Sequence, residues 1–346
     1  MAFGWAIIST GSHANNRIAP AMAAAPGADL VAVCSRDQGR AEEFAEKHGA
    51  KAAYISVDDL LQDSRVDGVF VLSPNSMHAG HTVQAAQAGK HVLTDKPMAT
   101  TLEDALAMVR QCRAAGVKLG LGFELRQHPG YILAREVIAQ GTLGRIGLAQ
   151  GLWGFGVRGL TAPRPRTGVQ QWWAQPELVG GASTMMGMGV HVVDMLHFLL
   201  DQQVTQVAAL TDGQTEQQPL ENLVTMSLRY DGGTIATICT GWLLPDANND
   251  LTIYGTDGRI SGKATLNAAR QGEFEIVSET VNRTETYPSD LMPNFVDMLE
   301  DFRGAVEEDR EPAATGVDGA KVVQVTLAMI ESARTGRTIG LEPLSI

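Results

Sequence analysis

Short apolar runs separated by segments of helical period dominate the first third of the chain. The runs at residues 5–8, 30–33, 69–72, 91–94 and 118–121 alternate with amphipathic stretches such as 41–48 and 102–115. Strand, helix, strand in series predicts a parallel sheet, and runs this short and continuously apolar predict helices on both of its faces. Thr101, with Asp104 three residues on, is a capping-box-like start for a helix that Gly116 ends. After Gly122 the pattern changes. Residues 146–155, 204–210, 222–230, 234–241 and 250–254 read as strands with no helix between each pair, and Asp231-Gly232-Gly233 and Asp257-Gly258 read as hairpin turns. A mostly antiparallel sheet follows, with helices at 128–140, 190–200, 293–308 and 316–334.

A chain of 346 residues exceeds what one core usually supports, so the expected organisation is two domains, 1–122 and 123–346. The expected class is α/β: an N-terminal Rossmann dinucleotide-binding domain plus a C-terminal α+β domain with an open, mostly antiparallel sheet. A formal net charge of -12 without a lysine or arginine block excludes nucleic acid as a partner. Cys34, Cys112 and Cys239 form no metal spacing and no disulfide framework, which predicts a reducing compartment and no metal site. No run of about 18 apolar residues appears and the first residues lack a secretory pattern, so the expected location is the cytoplasm, with no membrane partner.

The nucleotide signal sits in the first strand-turn-helix. Ser9-Thr10-Gly11-Ser12-His13-Ala14 occupies the place of the Gly-x-Gly-x-x-Gly/Ala fingerprint, with Ser9 at the first glycine. At the end of the second strand, where an acidic residue would hold the adenosine ribose, the chain has Ser35 and Arg36, with Arg40 one turn later. Without a carboxylate to repel a 2′-phosphate, and with guanidinium groups to receive it, NADP(H) is favoured over NAD(H). Asp95-Lys96-Pro97 directly follows the run at 91–94, and a residue just past such a strand points at the ligand crevice, which makes Lys96 the first candidate catalytic group.

Five elements in order carry a resemblance: the turn at 9–14, Ser73-Pro74-Asn75-x-x-His78, Asp95-Lys96-Pro97, Gly122-Phe123-x-x-Arg126-x-x-Pro129, and Gly180-Gly181-Ala182 leading to Gly189-Val190-His191-x-x-Asp194. Together they resemble the glucose-fructose oxidoreductase, inositol dehydrogenase and MocA family, over essentially the whole chain. The opening at 5–10 and Ser35 are most similar to its NADP-dependent 1,5-anhydro-D-fructose reductase-like members. The resemblance implies an oxidoreductase that transfers hydride between a nicotinamide and a sugar, polyol or related cyclic hydroxy or keto compound. It implies that Lys96 and His191 are the catalytic pair. It also implies that Ser73, Pro74, Asn75, His78, Asp95 and Pro97 border the nicotinamide half of the cofactor.

One departure matters. The family pattern places an aspartate four residues before the histidine, and this chain has Gly187 there. Either Lys96 and His191 act alone or Glu124 supplies a carboxylate from another direction. A second class of function, a cofactor-binding sensor or regulatory protein of the same fold, stands beside the enzyme for that reason. Glu124, Arg126, Trp173 and Asp194 are the candidate substrate contacts, and the positive charge of Arg158, Arg164 and Arg166 keeps a carboxylated ring diol or sugar acid open as a substrate. The second domain's sheet is the expected surface of a homodimer or homotetramer.

Overall fold

The computed structural model describes residues 2–163 and 165–345, so Arg164 lies outside the described residues. The first sheet holds β1 (Phe3–Ile8), β2 (Ala28–Cys34), β3 (Ala52–Tyr54), β4 (Gly68–Val71), β5 (His91–Thr94) and β6 (Leu119–Leu121). All are parallel, in the order β3-β2-β1-β4-β5-β6. The strand order reverses between β1 and β4, which opens the ligand crevice beyond their carboxyl ends.

Alternate residues along these strands bury on opposite faces. Ala6, Ile8, Val69, Val71 and Val92 join one core, and Trp5, Ile7, Phe70 and Leu93 join the other. The second core is completed from far along the chain: helix Pro293–Glu307 lays Phe295, Met298, Leu299 and Phe302 against it. Trp5 sits between Phe3 and Phe302, at ring-centroid distances of 4.9 and 5.5 Å. Gly120 permits this approach, since a Cβ there would lie 2.7 Å from the Phe302 ring. The chain past residue 122 therefore returns to wall the first domain.

The second sheet adds β7 (Ile146–Gly154), β8 (Val204–Thr211), β9 (Leu223–Tyr230), β10 (Ile235–Gly241), β11 (Leu251–Gly255), β12 (Gly258–Lys263), β13 (Arg270–Ser278), β14 (Asn282–Asp290) and β15 (Ile339–Gly340). Its order is β14-β13-β12-β11-β7-β10-β9-β8-β15, antiparallel except for the β7–β10 pair. One face packs on helices Val190–Leu200 and Gly316–Thr335, while Thr225, Ser227 and Arg229 point outward. The helix at Gly316 starts with the capping box of Thr315 and Asp318, and Thr101 accepts from the Asp104 amide at 3.1 Å. No described helix is long and apolar enough to cross a membrane.

The apolar pattern does not reveal β3, β12, β13, β14 or β15, and two of these have too little buried surface to show one. β3 has three residues, and β14, an edge strand carrying Pro288, buries none of its nine. With no side turned to a core, a strand has no alternation to read.

Candidate active site

β1 runs into the turn at 9–13, then a π-helical turn Ala14–Ile18 and helix Ala19–Ala24. Ser9 takes the backbone conformation a glycine would, with φ of 94°. Such a conformation costs a residue bearing a Cβ on the order of 1–3 kcal/mol, so the surrounding structure must enforce it. Its amide does so in part, donating to Cys34 O at 2.9 Å.

Three connected cavities fill the crevice. The outermost, about 450 Å³, is lined by Thr10, Ser12, Arg40, Phe44 and Lys47. The next, about 290 Å³, is lined by Gly11, Ser12, His13, Ser73, Asn75, Asp95 and Lys96 from the first domain and by Arg166, Trp172 and Trp173 from the second. Both share Val169 and Gln170, so the second-domain segment around 166–173 covers them. The innermost, about 400 Å³, brings Lys96, Glu124 and His191 together with His13 and Arg17, between Trp153, Phe155 and Trp242. An amide-rich turn opening a helix, with Arg17, Arg40 and Lys47 beside it, is a donor set suited to the diphosphate of a dinucleotide.

Lys96 stands at the junction of the last two cavities. Its peptide bond to Pro97 is cis. The Lys96 backbone N–H donates to Asp95 Oδ1 at 2.8 Å, and its Nζ donates to Gly187 O at 2.9 Å. That carbonyl lies in a π-helical turn, Met185–Gly189, which leads into the helix bearing His191. π-turns of this kind recur at functional sites. Glu221, fully buried, fixes the segment before it by accepting from the amides of Ser183 and Met185 at 2.8–3.0 Å.

His191 Nδ1 is buried without a hydrogen-bond partner and lies 3.7 Å from Glu124 Oε2. That is a close approach, too long for a hydrogen bond. Burial, with Lys96 and His13 nearby, holds the imidazole well below its ordinary pKa, so it is neutral at pH 7. Burial likewise pushes the Glu124 carboxyl up to about 8, against the pull of Lys96. Two groups that meet in one cavity both hold the uncharged form.

The position of the expected aspartate is filled from another element. A Cβ on residue 187 would lie 2.8 Å from Trp242 Cζ2. The indole is held there by its Nε1 donating to Ser183 Oγ at 3.1 Å and by a near-parallel Phe155, at 6.4 Å and 20°.

Several expected site residues lie elsewhere. Arg126 and Asp194, read from the sequence as substrate contacts, are spent on each other. The guanidinium donates to both oxygens of the buried Asp194 carboxylate at 2.6–3.2 Å and also to Ala313 O and Asp318, which are partly exposed. His78 is buried with its ring nitrogens against Pro97 O and Ser73 O at 2.8 and 2.7 Å, which ties two loops together and keeps it off the cavity walls. Arg36 is exposed and lines none of the three cavities, so Arg40 and Lys47 are the cations at the outer end. Ser9, Ala14, Ser35, Pro74 and Pro97 stand behind the walls; Ser35 Oγ accepts from Thr10 Oγ1 at 3.2 Å. Sequence reasoning missed Arg17, Lys47, Glu221 and Trp242. Glu221 and Trp242 find their partners on other elements, and only Lys47, one helical turn beyond Glu43 and two beyond Arg40, had a local signal to read. No cluster of metal-ligating side chains is present among the described residues.

A nucleotide-binding sheet of order β3-β2-β1-β4-β5-β6 joined to a substrate domain, with a lysine and a histidine lining one cavity at the junction, defines a two-domain nicotinamide-dependent oxidoreductase. The chain belongs to the GFO/IDH/MocA family: residues 3–123 match its oxidoreductase domain with NAD-binding Rossmann fold, and residues 131–261 match its C-terminal domain. It is 29% identical to 1,5-anhydro-D-fructose reductase of Ensifer adhaerens over 98% of both chains. It is 30% identical to trans-1,2-dihydrobenzene-1,2-diol dehydrogenase of Macaca fuscata fuscata, over 75% of this chain and 73% of that one. The crystal structure of aldose-aldose oxidoreductase from Caulobacter crescentus, complexed with glycerol, superposes with a TM-score of 0.87 at 25% identity, covering 99% of this chain and 100% of that one.

Proposed function

We propose that the enzyme reduces or oxidises a sugar, polyol or related ring compound with NADP(H) preferred, Lys96 and His191 handling the reacting oxygen. The reading rests on one observation: Lys96, Glu124 and His191 line a single cavity that opens onto the dinucleotide cavities. That convergence favours turnover over the sensor reading, because a protein that only holds a cofactor has no use for it. The names of the relatives, an anhydrosugar reductase, a diol dehydrogenase and an aldose oxidoreductase, support the substrate class.

The bound dinucleotide supplies or accepts the hydride. Lys96 Nζ, which spends one donor on Gly187 O, has two left for an oxygen on which negative charge develops. His191, neutral and shielded at Nδ1, presents Nε2 to the cavity, and a proton given from Nε2 is replaced at Nδ1 by the Glu124 carboxyl once the 3.7 Å gap closes. Glu124 thus serves in place of the aspartate that Trp242 displaces.

The pH dependence follows from the raised carboxyl. Folding keeps Glu124 protonated up to about 8 against an ordinary value of 4.5, so the protein loses stability as pH rises from about 4.5 towards 8. Glu124→Gln is expected to melt several degrees above the parent at pH 8, with the difference vanishing near pH 4.5. It should also abolish the alkaline limb of the pH profile for carbonyl reduction. A parent and variant with parallel melting curves across this range would remove Glu124 from the proton path.

The cofactor preference has its own test. Ser35→Asp would put a carboxylate directly behind Thr10, in the wall of the cavity that Arg40 and Lys47 line, and should lower the NADP/NAD ratio of kcat/KM at least about tenfold. An unchanged ratio would show that the adenosine end lies elsewhere.

A further inference from the structure

A fourth cavity, about 650 Å³, has no assigned occupant. It shares Phe155 and Trp242 with the cavity of Lys96, Glu124 and His191, so the two are continuous around the indole. Arg166 carries the only charge among the described residues that line it. Its guanidinium stacks over Trp173 at 4.2 Å and lies 5.4 Å from the Trp242 ring. It makes no ion pair and no hydrogen bond with any described residue. A half-buried guanidinium with five N–H donors and no acceptor is a costly arrangement that an incoming anion relieves. Burial already pulls this group below its ordinary pKa. Stacking fixes the plane of the fork, which prepares it for a flat, bidentate partner. Gln218 lines the same cavity, and its Nε2 is shielded and also has no partner.

We propose that this cavity receives a carboxylate-bearing ring that is part of the substrate, with the carboxylate on Arg166 and the ring face on the Phe155 and Trp242 side chains, while the attached sugar or polyol ring reacts at His191. The proposal rests on the reaction proposed above and narrows its substrate to an acidic, two-ring molecule. One cation with a planar fork matches a monoanionic carboxylate; a phosphate dianion would leave charge unmet. Aromatic walls accept a ring face, and the amide of Gln218 suits a substituent on it.

The test compares a 4-carboxyphenyl glucoside with its methyl ester, which removes the charge at the distal end and adds one methyl group. Both kcat/KM and tryptophan-fluorescence titration are measured. The acid is expected to exceed the ester about tenfold or more in each, the size of one good charge-assisted pair, and Arg166→Gln should bring the ratio to about one. Equal handling of acid and ester by the unaltered enzyme overturns the proposal, as does a ratio that survives Arg166→Gln. A loss of NADPH affinity in Arg166→Gln as large as the loss for the acid overturns it too, by giving Arg166 to the dinucleotide. The titration needs no turnover, so failure of every sugar to react counts against the reaction alone, and the acid-to-ester binding ratio still decides the cavity.

Discussion

Lys96→Ala is expected to lower kcat about 10³-fold, the loss typical of a positioned donor to a developing oxyanion, while changing dinucleotide affinity by less than about tenfold. The Nζ reaches the innermost cavity and is oriented by Gly187 O at 2.9 Å. Removing it leaves Arg17 as the cation on that wall, on a different element and without that orienting bond. Steady-state rates beside a fluorescence titration of NADPH separate the two effects. Equal losses in rate and affinity would make Lys96 a cofactor anchor.

The second large effect concerns stability. Asp194→Ala would leave the Arg126 guanidinium buried with only Ala313 O and Asp318 as partners. Breaking a buried pair from one side costs about 3–5 kcal/mol, a fall in Tm on the order of 10 °C for a chain of this class. Calorimetry of the variant measures it. A normal Tm with lost activity would return Asp194 to the substrate, the role its sequence position suggested.

That last contrast shows what kind of information a chain exposes. The parallel sheet, the Thr101 cap and the turn at 9–14 were legible because each depends on residues within a few positions, through period, capping geometry or turn chemistry. Lys96 was legible from its place just past a strand. The pairing of Arg126 with Asp194 was not legible because a motif records residue types, whereas pairing across 68 positions is set by tertiary packing. The missing aspartate was noticed as an absence, but its cause, an indole arriving from beyond β10, leaves no local trace. Ser9 is the converse case: its identity argued against the fingerprint, while its backbone follows the glycine's path.

Helix Pro293–Glu307, which seals Trp5 and Ile7 from the far end of the polypeptide, makes the nucleotide-binding half a non-transferable module. A fragment ending at Gly122, or a chimera joined there to another homologue, would carry an uncovered apolar flank and precipitate or remain half-folded. Grafting this half onto a new partner requires moving the distant helix with it.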